Sequence, residues 1–464
     1  MTSGIELTTD DVQTFADGLH GQLTRPEDAD YDEVRALYNA MIDKRPALIA
    51  RCADVDDVVS AVNFGRDHGL DIAIRCGGHN GPGLGSVDDG LVIDLSGLKN
   101  VTIDPDAKTA VIGGGCLVGD VDKATNEHGM ATPGGIISTT GAGGLILGGG
   151  IGHLTRKCGL SIDNILGAEV VLADGSVVTV DENTNDDLYW GIRGGGGNFG
   201  VVTSLTMRLH PISTVVAGPM FWELDKTVDI LKWYREFILN APEDLNGFFA
   251  FATVPPAPPF PEELHMQKVA AVVWCWAGPE DGAGDALAEA REQPGLLLDG
   301  VQPMPLPALN SAFDELYPPG DQWYWRADFV ESIPDEAVEK HAEFGAAMPT
   351  WKCTMHLYPI DGAAHRVGPT ETAWAYRNAN WGSVMAGVDP DPAKAEEIGA
   401  WSRAYHEALH PHSAGGAYVN MMMEEGQDRV EAAYGENYPR LAQIKAKYDP
   451  DNVFHVNQNI KPAS

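Results

Sequence analysis

Short apolar runs and amphipathic segments alternate along the first 210 residues of the chain. Apolar residues recur every three to four positions from Val55 to His68, which predicts a helix with Asp54 as its N-cap. The runs Asp71–Arg75, Leu91–Leu95 and Ala110–Ile112 are short and apolar, as buried strands are. This part of the chain therefore predicts strands and helices that follow one another closely.

Two more apolar runs are separated by a turn signal. Leu166–Leu172 and Val177–Val180 flank Ala173–Ser176, whose Asp-Gly step is typical of a β-hairpin. Helical patterns cover Val118–His128, which ends before a glycine, and Asp186–Ile192, which leads into a glycine run.

The pattern changes near His210, where glycine becomes rarer and tryptophan, phenylalanine and proline become more frequent. Phe248–Val254 and Lys268–Trp276 have the character of sheet strands. The predicted helices here are Val228–Leu239, Ala337–Ala347 and Ala393–Leu409. Strands and helices grouped in this way predict an α+β unit with a large antiparallel sheet.

Composition and charge limit the class of protein. With 464 residues, two domains are expected, and 44% hydrophobic residues indicate a globular chain. The formal net charge of −36 argues against nucleic-acid binding and favours a protein adapted to high salt. The N-terminal stretch Met1–Asp11 has neither a basic region nor an apolar core, and no apolar run is long enough to span a membrane. We therefore expect a cytoplasmic protein, and homo-oligomerisation stays open.

The six cysteines form no CxxC pair and no zinc-type cluster with histidine. Free thiols in a reducing compartment, and no metal site, are the expectation.

The first candidate for chemistry is the stretch Arg75–Asn80, which follows a predicted strand and opens a glycine-rich loop. Adjacent glycines let backbone N–H groups approach a diphosphate closely, because no Cβ intervenes. Arg75 can offset phosphate charge, and His79 is held where it can tether a flavin ring. The alternative is a glycine-rich turn with a solvent-facing histidine. A phosphate-binding NTPase is excluded, because none of the glycine loops has a Gly-Lys-Ser/Thr step.

Three further motifs follow in order: Gly134–Leu154, Arg193–Thr203 and Tyr448–Ile460. With them the chain resembles the FAD-linked oxidases of the vanillyl-alcohol oxidase and p-cresol methylhydroxylase superfamily, and is most similar to the berberine-bridge-enzyme-like branch. The resemblance implies an α+β fold: a p-cresol methylhydroxylase-type FAD-binding domain with an inserted antiparallel-sheet substrate domain. We assign residues 1–214 to the FAD-binding domain and 215–414 to the substrate domain. Residues 415–464 are predicted to return to the FAD-binding domain.

The resemblance also implies FAD as the cofactor and His79 as its covalent tether through the flavin 8-methyl carbon. Many relatives add a link from a cysteine, but Ile137 stands at that position, so we expect a single link. Cys158 and Cys116 are the alternative thiols. The implied cofactor-binding residues are Arg75, Cys76, Gly77, Gly78, His79, Asn80, Thr139, Thr140, Gly141, Gly144, Gly149, Gly152, His153, Gly200, Val202, Asn457 and Asn459.

Thr140 stands where the family residue covers the flavin face at which oxygen reacts. A small β-branched side chain there resembles the oxidases, while a bulkier one resembles the dehydrogenases. We therefore expect oxygen as the electron acceptor, with an FAD dehydrogenase as the alternative.

The substrate side is defined by two patches, Gln322–Phe329 and Gly415–Met421. Many relatives carry a tyrosine base at the position of Met421, which cannot accept a proton. We therefore name Tyr418, Tyr324 and Asn420 as the catalytic candidates. Strand alternation would put Tyr418 and Asn420 on one face. Arg326 is a plausible neighbour for Tyr324, and the remaining candidate bases are His356, Tyr358 and Tyr376.

The predicted function is hydride transfer from a small alcohol, sugar or amine to FAD. The alternatives are an FAD dehydrogenase with another acceptor and a flavoprotein impaired by the loss of the base at Met421.

Overall fold

The computed structural model describes residues 7–464. The first six residues, which belong to the N-terminal stretch predicted to lack signal-peptide character, lie outside the described residues. The strands are β1 (Gln22–Thr24), β2 (Leu48–Arg51), β3 (Ile72–Arg75), β4 (Leu91–Asp94), β5 (Val101–Asp104), β6 (Thr109–Gly113), β7 (Ile165–Val171), β8 (Val177–Asp181), β9 (Val201–Arg208), β10 (Thr214–Glu223), β11 (Leu245–Thr253), β12 (Lys268–Trp276), β13 (Leu296–Asp299), β14 (Gln302–Pro305), β15 (Gln322–Val330), β16 (Thr354–Pro359) and β17 (Trp381–Asp389).

The helices of the described residues vary from one turn to four turns in length. They are α1 (Thr9–Gly18), α2 (Tyr31–Val34), α3 (Val55–Asp67), α4 (Val118–Asn126), α5 (Ala142–Gly148), α6 (Thr155–Cys158), α7 (Asp186–Ile192), α8 (Thr227–Asn240), α9 (Ala283–Ala286), α10 (Ala288–Arg291), α11 (Leu306–Asn310), α12 (Asp335–Ala346), α13 (Ala395–Leu409), α14 (Gln427–Tyr434) and α15 (Tyr438–Tyr448).

Two small sheets form the first part of the molecule. One has the order β1-β2-β4-β3, with β2, β4 and β3 parallel, and the other is antiparallel with the order β5-β6-β9-β7-β8. The buried face of α3, with Val58 and Val62, packs with Val171 and Val201 of the second sheet in one apolar cluster. The carboxyl end of β3 thus delivers Arg75 and the glycine loop to the edge of a packed core.

The large sheet is antiparallel, with the order β13-β10-β12-β11-β16-β17-β15 and with β14 paired to β10. One face is covered by α8, α12 and α13 through a second apolar cluster. The other face contributes Phe248, Tyr358 and Val384 to a cluster shared with Leu147 and Ile151 of the glycine-rich segment. This inner face therefore opposes the glycine loops.

A buried ion pair ties the end of the chain to the glycine run 193–200. Lys445 Nζ lies 2.6 Å from Asp449 Oδ2 and donates to the backbone oxygens of Asn198 and Phe454. The Ile460 N–H donates to Asn198 Oδ1 at 2.9 Å. The pairing of two buried charges with these carbonyls satisfies the ammonium group, which burial alone would penalise.

The α+β architecture with a large antiparallel sheet is confirmed, and the predicted hairpin is β7–β8. Asp54 caps α3 by accepting from the Asp57 N–H, as expected. All six cysteines are free. Within residues 7–464, no helix combines the length and the apolar character that crossing a bilayer requires. The domain limits at 214/215 and 414/415 stay a prediction.

Candidate active site

A cavity of about 350 Å³ lies between the glycine loops and the inner face of the large sheet. This volume is within the range of small-molecule and cofactor sites. The predicted cofactor residues that line it are Arg75, Cys76, Gly77, Gly78, His79, Asn80, Thr140, Gly141, Gly144, Gly200, Val202 and Asn457.

His79 is enclosed by an aromatic ring and two hydroxyl groups. Its imidazole stacks on Tyr38 with a centroid distance of 3.8 Å. Nε2 lies 3.1 Å from Thr139 Oγ1, and Nδ1 lies 3.4 Å from Thr140 Oγ1. Burial lowers the pKa of His79 to about 4, because a charged imidazolium would lose its hydration there. The ring is thus neutral at pH 7 and fixed in orientation. Tyr38 is not among the predicted site residues, because it lies far from every motif in the sequence.

The two glycine loops touch at their backbones. A Cβ on Gly77 would lie 2.3 Å from the Gly141 nitrogen, so only glycine fits at this crossing. Arg75 Nη2 pairs with Asp94 Oδ2 at 2.6 Å. Arg75 Nη1 and Asn457 Oδ1 are buried and have no hydrogen-bond partner among the described residues. The free Arg75 Nη1 donor, beside the two glycine loops, fits the phosphates of a flavin dinucleotide. The free Asn457 Oδ1 acceptor fits the polar edge of its ring.

Five predicted cofactor residues do not line the cavity: Thr139, Gly149, Gly152, His153 and Asn459. Thr139 still reaches the cavity through His79. Gly149 has φ of +143° and faces Trp374, while a Cβ on Gly152 would lie 2.0 Å from the Gly134 oxygen. Because neither glycine has a side chain, Trp374 can pack closely against Gly149 and the Gly134 oxygen can lie close to Gly152.

His153 and Asn459 do not line the cavity, and Asn459 is half-buried. The His153 ring lies against Phe248, and burial lowers the pKa of His153 to about 3. The Asn459 backbone oxygen accepts from Gln427 Nε2 at 3.2 Å.

The alternative thiol tethers lie outside the cavity wall. Ile137 lines the cavity where a cysteine would stand, whereas Cys158 and Cys116 do not line it. Burial raises the pKa of Cys158 to about 12 and that of Cys116 to about 11, so both are protonated at neutral pH.

The wall formed by the large sheet is aromatic. The sheet contributes Trp323, Trp325, His356 and Tyr358, and the segment between α11 and β15 adds Phe313 and Tyr317. Alternation along β15 turns Trp323 and Trp325 inward and Tyr324 outward. The Tyr324 hydroxyl accepts from Arg326 Nη2 at 3.0 Å, and Arg403 of α13 lies over its ring. Tyr324 therefore does not line the cavity, and its catalytic role stays a prediction, although Arg326 is its neighbour as expected.

Tyr418 and Asn420 do line the cavity, but the strand predicted for them is not formed. Residues 419–421 form a 3₁₀ turn, which still joins Asn420 Nδ2 to the Tyr418 hydroxyl at 2.8 Å. The Gly150 N–H donates to the same hydroxyl at 2.9 Å. Burial raises the pKa of Tyr418 to about 12. Tyr376, another candidate base, does not line the cavity, and its hydroxyl donates to the Ala432 oxygen.

His356 and Tyr358 form a pair on β16. His356 Nδ1 lies 2.5 Å from the Tyr358 hydroxyl, and Phe248 packs against both rings. Burial lowers the pKa of His356 to about 3 and raises the pKa of Tyr358. A neutral imidazole and a phenol hydroxyl therefore lie within hydrogen-bonding distance of each other.

Fold and site together define a flavin-dependent oxidoreductase, and the comparisons give its family. Residues 46–181 match the family described as "FAD binding domain". Residues 417–461 match the family described as "Berberine and berberine like". An FAD-linked oxidoreductase of Dictyostelium discoideum is 31% identical over 459 residues, which cover 97% of each chain. The protein belongs to the berberine-bridge-enzyme-like family of FAD-linked oxidoreductases. This confirms the predicted family, the predicted fold class and FAD as the cofactor.

Two relatives of known activity extend the comparison. The (R)-6-hydroxynicotine oxidase of Paenarthrobacter nicotinovorans is 30% identical, covering 96% of this chain and 97% of the relative. The crystal structure of 6-hydroxy-D-nicotine oxidase from Arthrobacter nicotinovorans superposes with a TM-score of 0.86 at 27% identity, over 99% of this chain and 100% of that chain.

Proposed function

We propose that the protein is an FAD-dependent oxidase of a small alcohol, sugar or amine, with the flavin linked through His79 alone and reoxidised by oxygen. The observation that carries the proposal is one cavity that is lined by His79, by the two glycine loops and by an aromatic wall. Similarity to the (R)-6-hydroxynicotine oxidase of Paenarthrobacter nicotinovorans supports the same reaction class.

The bound FAD supplies a ring that accepts a hydride. His79 holds that ring: its neutral imidazole has a free lone pair at pH 7, and Tyr38 and Thr139 fix its orientation. Ile137 offers no thiol for a second link. The aromatic wall excludes water and orients the substrate toward the ring.

Thr140 lines the cavity and is small, which supports access of oxygen. The competing function is an FAD dehydrogenase. Mixing the dithionite-reduced holoprotein with oxygen or with a benzoquinone separates the two. Rapid reoxidation by oxygen supports the oxidase, and reoxidation by the quinone alone contradicts it.

Acid precipitation tests the tether directly. We expect the yellow flavin of the wild type to stay in the pellet, and the flavin of His79→Ala to pass into the supernatant. Cys158→Ser is the matched control and should retain its flavin, because that thiol lies outside the cavity. Wild-type flavin that is released by acid would refute the covalent link but would leave FAD as the cofactor.

A further inference from the structure

Oxidation of a hydroxyl group needs a proton acceptor, and Met421 cannot be one. Among the described residues that line the cavity, no carboxylate is present; Arg75 is the only permanently charged side chain, and it is paired with Asp94. The acceptor must therefore come from the five tyrosines and two histidines of the lining. His79 is assigned to the flavin.

Three of these tyrosines direct their protons to backbone oxygens. Tyr38 donates to the Tyr317 carbonyl at 2.7 Å. Tyr317 donates to the Lys352 carbonyl at 3.3 Å, and Tyr434 donates to the Gly195 carbonyl at 3.4 Å. A carbonyl oxygen cannot take up a proton at neutral pH, so none of these hydroxyls can pass one on.

Tyr418 is unsuited as the proton acceptor for a different reason. Its hydroxyl already accepts two hydrogen bonds, from the Gly150 N–H and from Asn420 Nδ2. Two donors occupy the lone pairs that would receive a substrate proton. Its own proton faces only the Leu145 carbonyl, at 3.5 Å. Tyr418 is thus suited to hold the Gly150 loop in place.

Among the described residues that line the cavity, Tyr358 is the one tyrosine whose hydroxyl is hydrogen-bonded to a titratable side chain. The partner is His356 Nδ1, at 2.5 Å on the same strand face. We propose that Tyr358 and His356 together are the proton acceptor for a hydroxyl-bearing substrate, with Tyr358 touching the substrate and His356 receiving the relayed proton. This inference rests on the proposed function.

The proposed step balances in atoms and charge. The substrate O–H proton passes to the Tyr358 oxygen as the Tyr358 proton passes to His356 Nδ1. The adjacent C–H bond breaks, its electron pair leaves with the hydrogen as a hydride to the bound FAD, and the substrate becomes a carbonyl compound. The single positive charge on the histidine is then lost as a proton to solvent. Oxygen takes the two electrons and the proton of the hydride, together with one proton from solvent, to give hydrogen peroxide.

The surroundings of the pair are uncharged. The titratable groups facing Tyr358 are Tyr317 and Tyr418, both neutral at pH 7, and Phe248 covers both rings of the pair. No fixed charge therefore competes for the proton. The unprotonated His356 is available as an acceptor at neutral pH.

Anaerobic stopped-flow reduction of the holoenzyme tests the pair with three probes: 4-hydroxybenzyl alcohol, D-glucose and 6-hydroxynicotine. Tyr358→Phe and His356→Gln should slow reduction by the active alcohol or sugar by about 10²–10⁴-fold. Reduction by the amine should change by less than about tenfold, because a neutral amine needs no proton removal. The glutamine can still accept the Tyr358 hydrogen bond but cannot take the proton, so it separates relay from positioning.

The controls distinguish the failure of this inference from the failure of the proposed function. Dithionite should reduce the flavin in every variant, and Tyr376→Phe, whose hydroxyl lies outside the cavity, should react like the wild type. A ¹⁵N-histidine NMR spectrum of the holoenzyme should show the hydrogen-bonded Nδ1 of His356, and Tyr358→Phe should remove that signal. A wild type that none of the probes reduces would refute the proposed function.

Wild-type rates and pH profile for the alcohol or sugar in both Tyr358→Phe and His356→Gln would overturn the pair alone. The same conclusion follows if Tyr418→Phe loses the reaction while Tyr358→Phe retains it. If only the amine reduces the wild type, the cavity does not oxidise hydroxyl groups and the inference fails.

Discussion

The lack of a side chain at Gly77 allows the backbones of the two glycine loops to approach each other closely. Gly77→Ala would put a methyl group 2.3 Å from the Gly141 nitrogen and 2.7 Å from its Cα, both of them backbone atoms that cannot rotate away. We expect a loss of about 1–3 kcal/mol in the free energy of unfolding and a lower FAD content. Thermal unfolding and the flavin-to-protein absorbance ratio measure the two effects.

Gly144→Ala is the matched control. Gly144 also lines the cavity, but no atom lies within 4 Å of its missing Cβ, and its position inside α5 favours alanine by up to about 1 kcal/mol. The variant should fold at least as stably as the wild type. Equal destabilisation in both variants would show that close contact at Gly77 is not the cause.

Predicted site residues lie together in the structure where they are contiguous in the sequence. Arg75–Asn80 is one loop after one strand, so its residues stay together in any fold that keeps the strand, and all six line the cavity. Tyr38 and Phe313 come from segments without a motif, and only the packed structure brings them to the same cavity. For Tyr324, the alternation of β15 was the missing signal, because it puts Trp323 and Trp325 inside.

At the scale of elements, periodicity predicted the long helices and the β7–β8 hairpin, because one buried face determines each of them. The short strands β1, β13 and β14 have no such pattern and depend on pairing with β2 or β10. The strand geometry predicted for Tyr418 and Asn420 is replaced by a turn at 419–421. This turn packs against α5, where a Cβ on Gly148 would meet Asn420.

The contact between α4 and α11 contains a buried carboxyl that makes stability depend on pH. Burial raises the pKa of Asp122 to about 7 from an ordinary 3.8, with Asn310 Nδ2 donating to it at 2.7 Å. Between about pH 4 and pH 7 the folded protein holds a proton that the unfolded chain has released. This contribution to stability is complete below pH 4 and is lost as pH rises through 7, at a cost on the order of 4 kcal/mol.

Asp122→Asn should remove this dependence and raise the free energy of unfolding at pH 8 by about 1–4 kcal/mol, because the new amide can also donate to the buried, unpaired Asn310 Oδ1. Urea unfolding at pH 5 and pH 8 measures the change. Asp106→Asn, at an exposed position, is the control and should alter neither value. A variant with the wild-type pH dependence would mean that Asp122 is ionised in the folded state.

At the scale of the whole molecule, the dominant feature is charge. The chain has 67 acidic and 31 basic residues, and the resulting charge of −36 is carried by a protein of 49.7 kDa. Mutual repulsion of this size favours expansion and lowers the stability of the compact state. This repulsion does not originate at the FAD site, because no carboxylate lines that site among the described residues.

Salt should therefore stabilise the molecule. The screening length falls from about 10 Å at 0.1 M to about 3 Å at 1 M ionic strength, so we expect the unfolding temperature to rise by several degrees in KCl, with most of the gain below about 1 M. Differential scanning fluorimetry of the holoprotein measures it, and sucrose at equal osmolality should not reproduce the early rise if screening is the cause. An unfolding temperature that stays constant or falls as KCl is added would contradict adaptation to high salt. The acidic residues would then contribute to the solubility of the protein and not to its stability in salt.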